Sequence, residues 1–433
     1  MNMHVERAVS TSANVVDFFH RPKYISGMKR LQAFKFQLKL TGSEVRNLYR
    51  FAGSSRFVYN KALALQKTRY EQGEKKLNYA GLCKELTLWR NDPETEWLRA
   101  CHSQVLQQSL KDLERAYQNF FAKRADFPRF KCRGLRDSFR FPQGAKLDQA
   151  NSRIFLPKLG WIRYHNSREV PGEISNITVS RTADKWYVSI QTEREVADPC
   201  HPALTAVGVD VGIAQFATLS DGVVFPSVNS FKEHQRRLAA YQRTMSRKVK
   251  FSNNWKKSQK QIGRLHHKIA NIRCNYLHQT TTTISKNHAL VCIEDLQVKN
   301  MNKSAVGTIA LPGKNVRAKS GLNKSILDQG WYEFRRQLEY KQAWFGGDVI
   351  AVPAKHTSQT CPECSHIDAK NRTTQAIFLC VNCGYTNNAD YVGAINILRA
   401  GLARLACGEM VQSGRSMNQE PTEVAHALVA YAR

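Results

Sequence analysis

The sequence predicts a mixed α/β protein with an additional β-rich part and a small metal-stapled module in its second half. Three observations predict it. Two short apolar runs, 206–212 and 289–293, read as buried strands, and each carries or meets a carboxylate. Long stretches around them place apolar residues at helical spacing. Four cysteines recur as two Cys-x2-Cys pairs, Cys361/Cys364 and Cys380/Cys383. At 433 residues the chain can bury two or three cores, and 42% hydrophobic content is that of a globular protein.

Residues 1–28 read as a polar, flexible leader without the apolar centre of a signal peptide. Phe34, Phe36 and Leu38 alternate with Lys35, Gln37 and Lys39, the pattern of a half-buried strand. Thr41 followed by Glu44 predicts a capping box opening a helix through Leu48, Phe51 and Tyr59. Val105, Leu106, Leu110, Leu113 and Tyr117 predict a helix over 103–123. Strands follow at 174–181 and 185–192 around an Ala183-Asp184 turn, and 194–204 reads as a domain boundary. In the second half, Asp221-Gly222 predicts a hairpin between 214–219 and 223–226. Residues 231–286 read as a long basic helical region, and 302–324 as a polar loop, either a lid or a connector. A helix through Trp331, Phe334 and Leu338, a strand at 349–352 and a final helix over 391–406 complete the pattern. A short helix is predicted near 421–431.

Charge narrows the function classes. The chain has 65 Lys and Arg against 35 Asp and Glu, a net +30, and such self-repulsion points to a polyanionic partner. No run approaches 18 apolar residues, so no membrane span is predicted. The other seven cysteines are scattered singly, as reduced cytoplasmic thiols are. In the paired four, each Cys-x2-Cys folds as a tight knuckle and fifteen residues separate the pairs. Four thiolates fill a tetrahedral Zn²⁺ and leave no open position, so the predicted zinc is structural.

Asp210 lies inside an apolar strand, and Glu294 directly follows another. A carboxylate is costly to bury there unless it is paired or holds a metal. Six residues separate Cys383 from Asp390 at the entry of the last helix. Converging, the three would offer hard oxygen ligands to Mg²⁺. Two alternatives stand at this level: Asp390 as an N-cap, and Asp295 in place of Glu294. The segment 127–141 interleaves aromatics with Arg129, Lys131 and Arg140, which suits stacking on unpaired bases, although Phe139 and Phe141 suit a core equally. Residues 231–273 hold thirteen Lys or Arg and one acid, Glu233. Within or beside that run, Arg247, Lys248, Lys256, Lys257 and Arg264 are candidate nucleic-acid contacts.

Taken together, 208–212, 293–296, 357–364, 380–384 and 389–397 make the chain resemble the TnpB family of insertion-sequence-encoded nucleases, relatives of the type V CRISPR effectors. The segments 57–63, 128–131 and 325–331 also resemble that family, and Arg56, Tyr59 and Asn60 join the candidate contacts. The chain departs from the family at Asn387-Asn388, where an acid is common, and at Ser365, where glycine is usual. The resemblance implies a RuvC (RNase H-like) nuclease core with an inserted four-cysteine zinc ribbon, preceded by a β-barrel wedge domain with a helical recognition insert. It divides the chain into a leader (1–28), a wedge and recognition domain (29–200, insert about 43–126), a first part of the core (201–355), the ribbon (356–386), the last part of the core (387–408) and a tail (409–433). It puts the catalytic acids on Asp210, Glu294 and Asp390, with two Mg²⁺ ions and one Zn²⁺. It implies a transposon-end guide RNA and a double-stranded DNA target beside a short motif, in the bacterial cytoplasm; the oligomeric state stays open, with a monomer favoured. A basic groove would then hold the RNA–DNA duplex by its backbone. Other readings are a nuclease-silent RNA-guided regulator and an accessory transposase.

Overall fold

The computed structural model describes residues 27–134, 137–407, 410–412 and 415–417, and divides into two compact units, 27–196 and 197 onward. Leader residues 1–26 and the helix predicted near 421–431 lie outside the described residues.

The first unit opens with β1 (Met28–Lys39), whose Phe34, Phe36 and Leu38 are buried between exposed Lys35 and Lys39 and half-buried Gln37. α1 (Gly42–Glu71) follows, and its capping box is the predicted one: the Glu44 amide donates to Thr41 Oγ1, and the Thr41 amide donates to Glu44 Oε2 at 2.6 Å. α2 (Tyr79–Asn91) and α3 (Ser103–Phe121) complete the helices. Strands β2 (Ser138–Phe141), β3 (Lys146–Asp148), β4 (Arg153–Leu156), β5 (Gly160–Tyr164), β6 (Glu173–Thr182) and β7 (Lys185–Val196) join β1 in a seven-stranded antiparallel sheet, ordered β2-β6-β7-β1-β5-β4-β3. The β6–β7 hairpin turns at Ala183, which takes φ +56°. Phe139 and Phe141 are core residues here, 5% and 0% exposed, so they are not base-stacking platforms.

The second unit is built on β8 (Ala206–Val211), β9 (Gln215–Leu219), β10 (Val224–Pro226), β11 (Leu290–Glu294) and β12 (Asp348–Val352), ordered β10-β9-β8-β11-β12. β8, β11 and β12 run parallel, and β9 and β10 return antiparallel through the predicted Asp221-Gly222 turn. Between the strands lie α4 (Ser230–Ser246), α5 (Asn253–Asn287), a single turn α6 (Val298–Met301), α7 (Val316–Gln329) and α8 (Trp331–Phe345). After β12 come the small hairpin β13 (Ile377–Leu379) and β14 (Thr386–Asn388), then α9 (Ala389–Ala406) and the hairpin β15 (Met410–Gln412) and β16 (Arg415–Met417). No helix among the described residues is long and apolar enough to cross a membrane.

Side chains alternate across the central strands. Val207, Val209, Val291 and Ile293 share a core with Leu277, Ile284, Phe334 and Leu338 of α5 and α8. Leu290, Cys292, Ile350 and Val352 share another with Ile397 of α9. By the same parity Asp210 and Glu294 belong to the face that α9 covers. That helix lies close because the facing positions are bare. A Cβ on Gly208 would stand 2.0 Å from the Ala394 carbonyl oxygen, and one on Gly401 would stand 2.1 Å from Cys292 Sγ.

Two expectations require correction. The basic region is two helices, because Phe251 turns the chain at φ +69° and Ser252 accepts from the Trp255 amide as a fresh N-cap. The segment 302–324 is not one loop, since α7 begins at Val316. The buried Ile326 anchors that helix, and the buried Asp328 accepts from Ser230 Oγ and the Phe231 and Lys232 amides at the start of α4.

Candidate metal centre

Two centres meet at the start of α9. The four cysteine sulfurs lie within 4.8 Å of one another, the only such group of His, Cys, Asp or Glu ligands among the described residues. Cys361 Sγ and Cys383 Sγ are 3.6 Å apart, and Cys364 Sγ and Cys380 Sγ are 3.5 Å apart. A tetrahedral ion with metal–sulfur bonds of about 2.3 Å needs edges of about 3.8 Å, so the thiols fit zinc. The two knuckles repeat one geometry. The Ser365 amide donates to the Cys361 carbonyl and the Gly384 amide to the Cys380 carbonyl, at 3.0 Å each, with φ +61° and +75°. A left-handed position at Ser365 explains why glycine suits it. The His366 amide and the Asn382 side chain draw the Cys364 thiol down to about 6, which readies one thiolate at neutral pH.

The buried Asn371 ties the knuckles together: its amide nitrogen donates to the Gln359 and His366 carbonyls, and its oxygen accepts from the Val381 amide. Asn396 of α9 donates to the carbonyls of Thr357 and Thr360 at 2.8 Å, and Arg399 donates to that of Pro362. The cysteine module is thus fastened to the helix that carries Asp390.

The carboxylates converge from three elements. Val209 and Ile293 pair across β8 and β11, so Asp210 and Glu294 emerge side by side at neighbouring strand ends. Gly393 permits the approach of α9, since a Cβ there would sit 2.9 Å from Asp210 Oδ2. Asp210 is driven up to about 8, first by burial, then by Glu294 and Asp390, against the opposing field of Arg372. Burial also raises Glu294, opposed by a hydrogen bond from Thr357 Oγ1 at 2.7 Å and by Arg372. The Arg372 guanidinium stands 3.7 Å from Asp390. The three carboxylates do not close up as the thiols do, and one cation from the cysteine module stands among them.

Contacts bear on both alternatives. Asn388 caps α9, accepting from the Asp390 amide at 2.9 Å and the Tyr391 amide at 3.2 Å, which leaves the Asp390 carboxylate outside the cap. Asp295 pairs with Arg335 of α8, on the opposite sheet face from Glu294. Sequence reasoning passed over Arg372 and Thr357, which lie far along the chain from the acids.

The candidate nucleic-acid contacts fall into two groups. Tyr59 is buried with the Lys131 ammonium 4.1 Å over its ring, and Asn60 clamps the Lys131 backbone with two hydrogen bonds. Lys131 also stands 3.8 Å from Asp112, and Arg56 pairs with the buried Asp137. These four hold the first unit together. Arg129, Arg247, Lys256, Lys257 and Arg264 are exposed, while Arg140 is half-buried on β2 and Lys248 donates to Ser258 Oγ.

Comparison with known proteins gives three family models. One described as a probable transposase (OrfB of IS605) matches 189–305, one for the Cas12f1-like TNB domain matches 331–397, and one for a helix-turn-helix domain matches 28–75. Most of the last segment is one strand and one 30-residue helix. InsQ of Escherichia coli (strain K12), which carries the name RNA-guided DNA endonuclease, is 62% identical over 92% of this chain and 100% of its own length. A protein of the same description from Streptomyces pristinaespiralis is 33% identical over 90% of this chain and 96% of its own. A chain from a Cas12f1–sgRNA–target DNA complex shares the fold at TM-score 0.53 and 12% identity, over 85% of this chain and 98% of that one.

Proposed function

The chain belongs to the TnpB family of transposon-encoded RNA-guided DNA endonucleases, and from that premise we propose that Asp210, Glu294 and Asp390 are the carboxylates with which it cuts double-stranded DNA. The observation that carries this reading is the convergence of three acids from β8, β11 and α9 at one sheet edge, where burial first, and then Glu294 and Asp390, push Asp210 up to about 8. Such a site has a net demand for cations, and its oxygens suit Mg²⁺. A pair of Mg²⁺ ions bound there supplies Lewis acidity at the phosphate and lowers the pKa of an attacking water.

The protein's own residues do the rest. Asp210 must give up its proton before the site can take a divalent ion. Thr357 fixes one oxygen of Glu294, so that carboxylate faces the site in a single orientation. Asn388 takes over the cap and keeps Asp390 available. Arg372 stands where it can meet the negative charge of a scissile phosphate.

In the same reading the five-stranded sheet with α9 is the RuvC (RNase H-like) core, and the four thiols hold one structural zinc. The seven-stranded sheet of the first unit is the barrel wedge, with α1 to α3 as its recognition insert. The domain limits proposed with it are a wedge and recognition domain over 29–200, core parts over 201–355 and 387–408, and the ribbon over 356–386. A guide RNA from the transposon end pairs with the target, in the bacterial cytoplasm. The exposed cations of α5, Lys256, Lys257 and Arg264, with Arg247 before it and Arg129 and Arg140 in the wedge, contact the duplex backbone.

The test is plasmid cleavage by the protein co-expressed with its RNA and supplied with Mg²⁺. Asp210→Ala, Glu294→Gln and Asp390→Ala should each abolish cutting, while Asp295→Asn should retain it. Full cutting by any of the first three would remove that residue from the site.

A further inference from the structure

A cavity of 1040 Å³ lies wholly within the 27–196 unit, beside α1, the single-turn helix Glu96–Ala100 and the loops at Phe130 and Lys158. It is at the upper end of the volumes usual for small-ligand sites, about 300–1,000 Å³. Its wall is aromatic. Phe57 and Trp97 meet edge to face with centroids 5.1 Å apart, and Trp97 and Phe130 stay 46% and 47% exposed.

Its charge has one sign. Arg50, Arg56, Lys61 and Lys158 line it, and no Asp or Glu does among the described residues. Asp137, which pairs with Arg56, is shared with Arg181, so two guanidinium groups face one carboxylate and positive charge remains. Arg50 has no carboxylate partner among the described residues. Lys61 lies over the rings of Phe57 and Trp89, not against an acid. Lys158 is held at φ +64°, its ammonium donating to the Arg99 carbonyl at 2.5 Å.

An aromatic wall with a cationic rim free of acids is complementary to a nucleotide, with the base on the ring and the phosphate at the rim. We infer that this cavity seats an unpaired nucleotide of the RNA partner, its base stacked on Trp97 and its phosphate among Arg50, Arg56 and Lys158. RNA is favoured over the DNA target on energetic grounds. Loops of RNA present unpaired bases already, whereas duplex DNA must first be unstacked to offer one. The inference rests on the RNA-guided reading above, because it needs a resident RNA.

The complex is prepared from cells fed 4-thiouridine, irradiated, and its crosslinked peptide mapped. A parallel sample carries 4-thiothymidine in the target DNA instead. The RNA should crosslink at Trp97, Phe57 or Phe130, and the DNA should not. Trp97→Ala should weaken RNA binding roughly 5- to 150-fold, while Trp97→Phe keeps most of it. If Trp97→Ala does not fold, the crosslink decides. RNA that crosslinks only elsewhere, DNA that crosslinks in the cavity, or full RNA affinity in folded Trp97→Ala overturns this inference alone. A preparation without RNA overturns the RNA-guided reading as well.

Discussion

Asp210 is buried between two other carboxylates and one guanidinium, and in the proposed function its ionisation governs when the site can accept a divalent ion. Its folded pKa of about 8 lies far above the unfolded value of about 3.9. The unfolded chain therefore ionises first. Without metal, the stability this group contributes is fully present below about pH 4 and is lost as pH rises through about 8. On the proposed assignment Mg²⁺ would bind the ionised form and relieve the repulsion, so its stabilising effect should grow with pH. Thermal unfolding with and without Mg²⁺ at pH 5.5 and 8.5 should show the larger rise in Tm at the higher pH. Asp210→Ala should abolish the difference, and an equal rise at both pH values would count against the assignment. Arg372 gives a second prediction at this scale. Removing one preorganised donor from a transition state typically costs about 3–4 kcal/mol. Arg372→Ala should thus slow cleavage on the order of 10²- to 10³-fold while leaving RNA co-purification intact, and cleavage at wild-type rate would exclude a role at the phosphate.

At the level of elements, α9 is the part that makes the site. Gly208, Gly393 and Gly401 let it lie against β8 and β11, and Asn396 and Arg399 hold the cysteine module on it. Because the Cβ of Gly208→Ala would meet backbone atoms of α9, overpacking of about 1–3 kcal/mol or more is expected. Denaturant unfolding would measure it, and a variant as stable as the parent would contradict the packing. Much of this level was legible in the sequence. The capping box at Thr41 and Glu44, the apolar strands and the Asp-Gly turn are local patterns that tertiary structure kept. The break after Arg247 was hidden because Lys and Arg continue through it, and only Ser252 marks a new start. α7 was hidden because Gly321, Asn323 and Ser325 mask a helix anchored by three buried residues near its end. Of the two readings open for Phe139 and Phe141, tertiary packing selects the core: the aromatic-cation alternation there is a strand with its aromatics turned inward.

The whole molecule assembles its candidate site from residues 210, 294, 357, 372 and 390. The apolar runs around Asp210 and before Glu294 already marked both acids as strand residues, and the Cys-x2-Cys spacing already described the four-thiol cluster; that the two acids share a sheet face came from the structure. Asp390 was ambiguous because a helix start suits a cap as well as a ligand; only the structure shows Asn388 filling the cap. Thr357 lay in a family-like segment but without a role, and Arg372 had no local signal, since each acts through a contact across more than ten residues of chain. The central claim, that these carboxylates form one divalent-metal centre, is tested most directly by anomalous diffraction from crystals of the protein soaked in Mn²⁺. The account predicts density bounded by Asp210, Glu294 and Asp390, lost in Asp210→Ala. Ordered Mn²⁺ bound elsewhere, with none at these three acids, would contradict it.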